Sequence, residues 1–499
     1  MPLASSGIMS SQKEVPVSLG WRVTVPEGSS TTAEPVSGWN CRIRRRLVEF
    51  GVGTMAKVST FGKKVWKMGA DDPRKVIHGI KVGVALTLVS LFYYARPLYN
   101  GFGSSAMWAV MTVVVVFEYT VGGCLYKAIN RAIATLSAGA LAVGIDWVAT
   151  KSGQKVEPLI LSASVFLLAS AATFSRFIPT VKARFDYGVT IFILTFSLVA
   201  VSGYRVDELM DLAIQRVSTI AIGIGITISV CVLFSPVWSG QELHLLISSN
   251  MAKLADSLEG CVEDYFVTAD HNNTNGEECS SSPRSKAYES VINSKASEDS
   301  HANLARWEPA HGRFGFRHPW KQYLKVGSST RHCAYCVESL HASLNSKTKA
   351  PESLKKHLRD ACVKLSSDSS KVLRELSSSI SMMKRSPSIN LFVEEMKLAV
   401  QELQIALSSL PDRLLLTQAT TQSKDEENKS SGAAALSLLD IVPLMTMASL
   451  LIETSSRIEG VVDAVGTLAN ITCFRSIGID KSSSKVQDEG QEMKALQEV

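Results

Sequence analysis

Apolar residues in this chain fall into six long stretches between Val76 and Pro236, and beyond Trp238 they thin into a helical periodicity. The stretches lie approximately at 76–95, 104–120, 129–149, 158–177, 187–203 and 212–235. Each has about the 17–25 residues that cross about 30 Å of hydrocarbon. Punctuation supports these bounds: Asp72-Pro73 opens the first, Asn100-Gly101 and Ser152-Gly153 mark turns, and Pro236 closes the sixth. After them, Leu243, Leu246, Ile247, Leu254 and Leu258 recur at helical spacing over 240–266, and further helices are expected over 320–345, 353–383 and 389–409. The polar segments 267–284 and 414–432 read as linkers. The apolar run after residue 433 resembles a seventh span, but Asp440, Pro443, Thr446, Ser449 and Glu453 interrupt it, so a buried soluble helix is expected.

The pattern predicts an all-α membrane protein: six transmembrane helices followed by a helical cytosolic domain. Its parts are a basic cytosolic segment over 1–70, a membrane domain over 71–237, a soluble domain over 238–475 and a tail over 476–499 that is too poor in large apolar groups to pack. The first residues lack a cationic start followed by an apolar core, so the first span is expected to serve as the insertion signal. Within the net charge of +6, the cations from Arg42 to Lys75 crowd the approach to the first span. They hold that side in the cytoplasm and can touch anionic headgroups of the bilayer. Both termini are expected inside, with the sequons at Asn272 and Asn470 unmodified.

Chemistry enters with two arginines. Arg131 opens the third stretch and Arg216 the sixth, and an arginine at mid-helix costs roughly 2.5 to 3.5 kcal/mol on insertion. Either each snorkels to a headgroup or both line an anion pathway, with Lys127 one turn before Arg131 on the same face. Glu118 can neutralise Lys81, Lys127 or Arg131 and so gate the path, or form a static pair. Thr112 offers its hydroxyl either to the pathway or to its own helix. Gly139, Gly144, Gly223 and Gly225 permit close helix approach.

Enzyme chemistry finds no support. The chain has no P-loop, HExxH, GxSxG or dinucleotide turn, and its nine histidines do not gather at metal spacing. Cys333 and Cys336 form a lone CxxC, more simply two small residues on a helix than a zinc site. No cofactor, metal or nucleic acid is called for. The serines at 280–285 and 386–388 adjoin Arg284 and Arg385 and could accept phosphate, or simply be solvated linker.

The segments AMWAVMTVVVVFE (Ala106–Glu118), KAINRAIATLSAG (Lys127–Gly139), RFDYG (Arg184–Gly188) and PVWSGQELH (Pro236–His244) resemble the plant aluminium-activated malate transporters. So do Trp307-Glu308-Pro309 and PWKQYLKVG (Pro319–Gly327), and the likeness runs from Lys67 to about Ala469. The leader WRVTVPEG and DDPRKVIHGIKVG look most like the branch containing member ten. The resemblance implies a homodimeric channel for malate, with chloride, nitrate or sulfate as further anions. It implies that Arg131 and Arg216 line the pore and that Glu308 is a gating or folding element. Aluminium activation does not follow; Asp207, Glu208 and Asp211 are only a candidate outer cation site. The plasma membrane is favoured over the vacuolar one. Two rivals stand beside the channel: a proton-coupled organic-acid carrier using Glu118, and a non-conducting membrane scaffold.

Overall fold

The computed structural model describes residues 55 and 57–94, 106–153, 155–203, 209–270, 282–315, 318–344, 352–410 and 438–476. Two units emerge, Met1–Lys75 and Val76–Val499. In the first, residues 57–71 are helical and largely exposed.

The six expected apolar stretches are helices α1 (Pro73–Tyr94), α2 (Ala106–Val116), α3 (Val121–Lys151), α4 (Glu157–Ser175), α5 (Pro179–Gly203) and α6 (Leu209–Leu233). Among the described residues four are long and apolar enough to cross a membrane: Val121–Lys151, Glu157–Ser175, Pro179–Val201 and Ile214–Leu233. The first turns of α1 carry Arg74, Lys75, His78 and Lys81, and the 11 described residues of α2 reach about 16 Å at 1.5 Å per residue.

Helix α3 differs most from expectation. It starts at Val121, because Thr120 holds an extended conformation and its hydroxyl accepts from the Gly123 amide at 3.2 Å. Gly122-Gly123 conceals this start from a periodicity reading, and Arg131 sits nearly three turns inside the helix.

Helix pairing in the apolar half follows side-chain size. Gly223 of α6 lies against α2, where an added Cβ would meet Thr112 Cβ at 2.8 Å and the Ala109 carbonyl at 2.9 Å. Gly188 of α5 admits Asn130 of α3 in the same way. Gly139, Gly144 and Gly225 have nothing within 4 Å, so within one chain they bring no helices together. Ala138 and Ala142 of α3 pack with Phe196, Val199 and Ala200 of α5, while Ala85, Val89, Val113, Cys124 and Val230 join α1, α2, α3 and α6.

The second half holds α7 (Ser239–Asp270), α8 (Tyr288–Ile292), α9 (Lys295–Ala305), α10 (Trp320–Leu344), α11 (Glu352–Met382), α12 (Ile389–Ser408) and α13 (Leu438–Ile471). A two-residue parallel pairing joins Lys384–Arg385 to Arg475–Ser476. Helix α7 packs on α11, and α10 packs on α13. The interrupted apolar run is α13, whose Leu444, Met447, Ala448, Leu451, Ile458, Val461 and Val465 form one buried stripe in the common core. Cys333 is buried on α10 and its thiol faces the Thr454 carbonyl, and no group of three or more metal-ligating side chains occurs among the described residues.

Histidines in this half report on pH. Burial, with His244 and His311 nearby, holds His318 at about 4, and burial also lowers His244. A base with a depressed folded pKa binds fewer protons folded than unfolded. Stability is then complete above the unfolded value of about 6.5 and falls as pH drops toward about 4. Thermal unfolding of the purified chain should show its midpoint declining through that window, and His318→Gln should flatten the decline.

Candidate functional site

The apolar half carries its cations at three levels, beginning at the end of α6. Lys81 is 4% exposed, and its ammonium donates to the Ser235 carbonyl at 2.7 Å. Ser235 has φ 43°, the left-handed turn that commonly follows a helix, and a cation there complements the carbonyl end of α6. Lys81 therefore does not pair with Glu118. Glu118 pairs with Lys127 at 2.5 Å, a partly exposed contact. Thr112 donates to the Trp108 carbonyl of its own helix at 2.7 Å, so its hydrogen is spent locally.

Arg131 and Arg216 are placed differently. Arg131 is 5% exposed, its Nη1 donates to the Tyr187 hydroxyl at 3.4 Å, and its Nε has no partner. The Arg216 guanidinium lies over the Trp108 ring, 4.0 Å from the centroid, and its Nε is likewise buried without a partner. Neither forms an ion pair among the described residues. A cation over an indole keeps its positive charge uncancelled while part of its desolvation is offset.

Helices α3 and α6 are antiparallel neighbours. The Val121 amide donates to the Val237 carbonyl at 2.8 Å, and the Cys124 and Cys231 sulfurs are 3.5 Å apart. Farther along, Thr135 and Gly139 line one crevice of about 370 Å³ with Arg216, Val217 and Ser218. Arg216 is thus level with Gly139, eight residues past Arg131, or about 12 Å along the axis. The two charges occupy successive levels of one helix pair. Nothing in the sequence singles out Trp108 or Tyr187, since an aromatic inside an apolar run carries no signal of the cation it meets.

Below these levels lies Glu308, 7% exposed. Its carboxylate accepts from the Gly122 amide at 3.1 Å, the Ser239 amide at 2.6 Å and the Gly240 amide at 3.1 Å. These amides belong to the first turns of α3 and α7, so one carboxylate closes two helix starts at once. Burial pushes its carboxyl up, against the pull of those three N–H groups. His311 approaches it at 3.9 Å and stacks on Trp238 at 3.9 Å between ring centroids. Asp207 and Glu208 lie outside the described residues, as does the side chain of Asp211.

The family model for the aluminium-activated malate transporter matches residues 66–436. The chain belongs to that family. It is 48% identical over 472 residues to aluminium-activated malate transporter 10 of Arabidopsis thaliana, covering 91% of this chain and 94% of the relative. It is 42% identical over 447 residues to aluminium-activated malate transporter 1 of Triticum aestivum, covering 88% of this chain and 90% of that one. The same identity holds over 423 residues with transporter 2 of Arabidopsis thaliana, at 85% and 80% coverage. Members of this family are transporters and not enzymes, and the apolar helices make the chain a membrane protein.

Proposed function

We propose that the chain is a malate and organic-anion channel, with chloride, nitrate and sulfate as further permeant anions. In this reading all six apolar helices span the membrane, both termini face the cytosol, two copies assemble, and the plasma membrane is the site of action. The supporting observation is the pair of arginines, Arg131 buried and Arg216 half-buried, each without an acidic partner among the described residues, stacked at two levels of α3 and α6. The names of the relatives supply malate.

Conduction is passive. The membrane potential acts on both charges of the malate dianion at about 2.3 kcal/mol per charge per 100 mV, so an inside-negative cell drives it outward. The guanidinium groups replace part of the hydration shell yet release the ion, because neither is reinforced by a cage of further donors. The pairing of Glu118 with Lys127 argues against the carrier reading, which needs that carboxyl as its proton shuttle. Two-electrode voltage clamp of oocytes expressing the chain, with injected malate and substituted external anions, tests the proposal. An inward current whose reversal follows the anion gradients supports it; flux locked to a proton gradient overturns it.

The crevice beside Arg216 gives a sharper expectation. Gly139 has open space where a side chain would project, and a helical glycine replaced by a better helix former gains up to about 1 kcal/mol. Gly139→Leu should therefore leave the protein as stable as before while lowering malate current severalfold. Current and detergent melting temperature measured on the same variant separate these effects.

A further inference from the structure

A cavity of about 630 Å³ opens where the start of α5 meets the segment joining α9 to α10. It lies outside the pathway proposed above. Asn303 of α9 ties its two sides together, donating to the Ala183 carbonyl at 2.8 Å, and Trp307 packs edge-on against Tyr126 at 5.6 Å. Three permanent cations line it: Arg184 of α5, Arg306 at the end of α9 and Lys321 in the first turn of α10. All three are exposed, and none has a side-chain hydrogen bond or ion pair among the described residues.

The only acid among the described lining residues is Glu308, whose oxygens are taken by three backbone amides. Even with Glu308 counted as charged, the lining cations outnumber it three to one. Its walls are aromatic, with Phe185, Trp307, Phe314 and Trp320 on them. The volume falls in the range of about 300–1,000 Å³ typical of small-molecule sites.

We propose that this cavity binds a phosphate-bearing organic anion on the cytosolic side. Two guanidinium groups and an ammonium supply many donors in a fork geometry suited to phosphate oxygens, and the aromatic walls take a ring or other apolar body. A phosphate held between Arg184 and the pair Arg306 and Lys321 ties the start of α5 to the soluble half, in parallel with the Asn303 bond. The same chemistry has two sources, a phosphoinositide headgroup in the inner leaflet and a soluble nucleotide.

Binding to the full chain purified in detergent or nanodiscs tests this without reference to conductance, so a failed channel assay does not touch it. The probes are ATP, inositol trisphosphate, and phosphatidylcholine nanodiscs with and without phosphatidylinositol bisphosphate, read by tryptophan fluorescence and by melting temperature. Saturable binding of either soluble probe assigns a metabolite site; a response confined to the phosphoinositide nanodiscs assigns a lipid site. Arg184→Gln and Arg306→Gln should each weaken binding about tenfold, the loss expected from one charge-assisted bond. Lys356→Gln, an exposed cation on α11, should leave it unchanged. Absence of response to every probe overturns the proposal, as does equal binding by the folded Arg184→Gln and Arg306→Gln variants. Displacement by malate as effective as by phosphate esters overturns the ligand class.

Discussion

On the channel reading, Arg131→Ala and Arg216→Ala should each lower malate current by more than about tenfold while the protein reaches the surface in normal amount. The physical argument is one of sign. Removing a cation from an apolar helix relieves an insertion cost of roughly 2.5 to 3.5 kcal/mol, so membrane insertion of these variants does not suffer. What they would lose, on that reading, is the field that replaces the hydration of a passing dianion. Arg131 touches Tyr187 only at 3.4 Å and Arg216 rests on the Trp108 ring, so neither truncation strands a buried carboxylate. The lysine variants keep the charge but lose the planar stack, and Arg216→Lys should fall between wild type and alanine. Whole-cell current normalised to surface biotinylation is the measurement. Unchanged current per channel would remove both arginines from the pathway.

Glu308→Gln carries the second large effect, on stability as well as on gating. The carboxylate accepts three backbone N–H bonds in a buried place. Charged hydrogen bonds of this kind contribute about 1.5 to 3 kcal/mol each. An amide has one acceptor oxygen, and its NH2 would face backbone donors. The substitution should therefore cost about 3 kcal/mol, lowering the melting temperature by several degrees. Gating should change in the same variant, because the first turns of α3 and α7 no longer share an anchor. Glu308→Asp keeps the charge on a shorter arm and should recover part of both effects. A melting temperature and voltage dependence identical to wild type would show that the carboxylate is incidental.

Much of this arrangement is legible in the sequence alone. Helices α7, α10, α11 and α12 lie within a few residues of their expected bounds, because each alternates a buried stripe with a solvated face over many turns. The helices of the apolar half are found where expected, since length and hydropathy are local properties, but α3 and α5 each start eight residues before the expected bounds of 129 and 187. Arg131 and Arg216 stand out because charge in an apolar run is itself a signal. What stays hidden is long-range. Glu308 finds Gly122 across 186 residues and Ser239 across 69, and no local pattern announces either contact. The partners of Lys81, Thr112 and Glu118 depended on rotamers and helix rotation, so the sequence left each with several candidates. The glycines show the same limit. Gly223 serves a helix contact and Gly139 does not, although both sit in apolar runs rich in small residues.

The double closure by Glu308 also sets an order of events during synthesis. Gly122 leaves the ribosome 186 residues before the carboxylate that completes its helix start. At about 5–20 residues per second, that interval lasts on the order of 10 to 40 s. Throughout it, the first amides of α3 must find other acceptors, such as water or headgroups. The start of α3 is thus completed only once the segment carrying Glu308 has been made and folded, so a chain cut short before residue 308 lacks this closure.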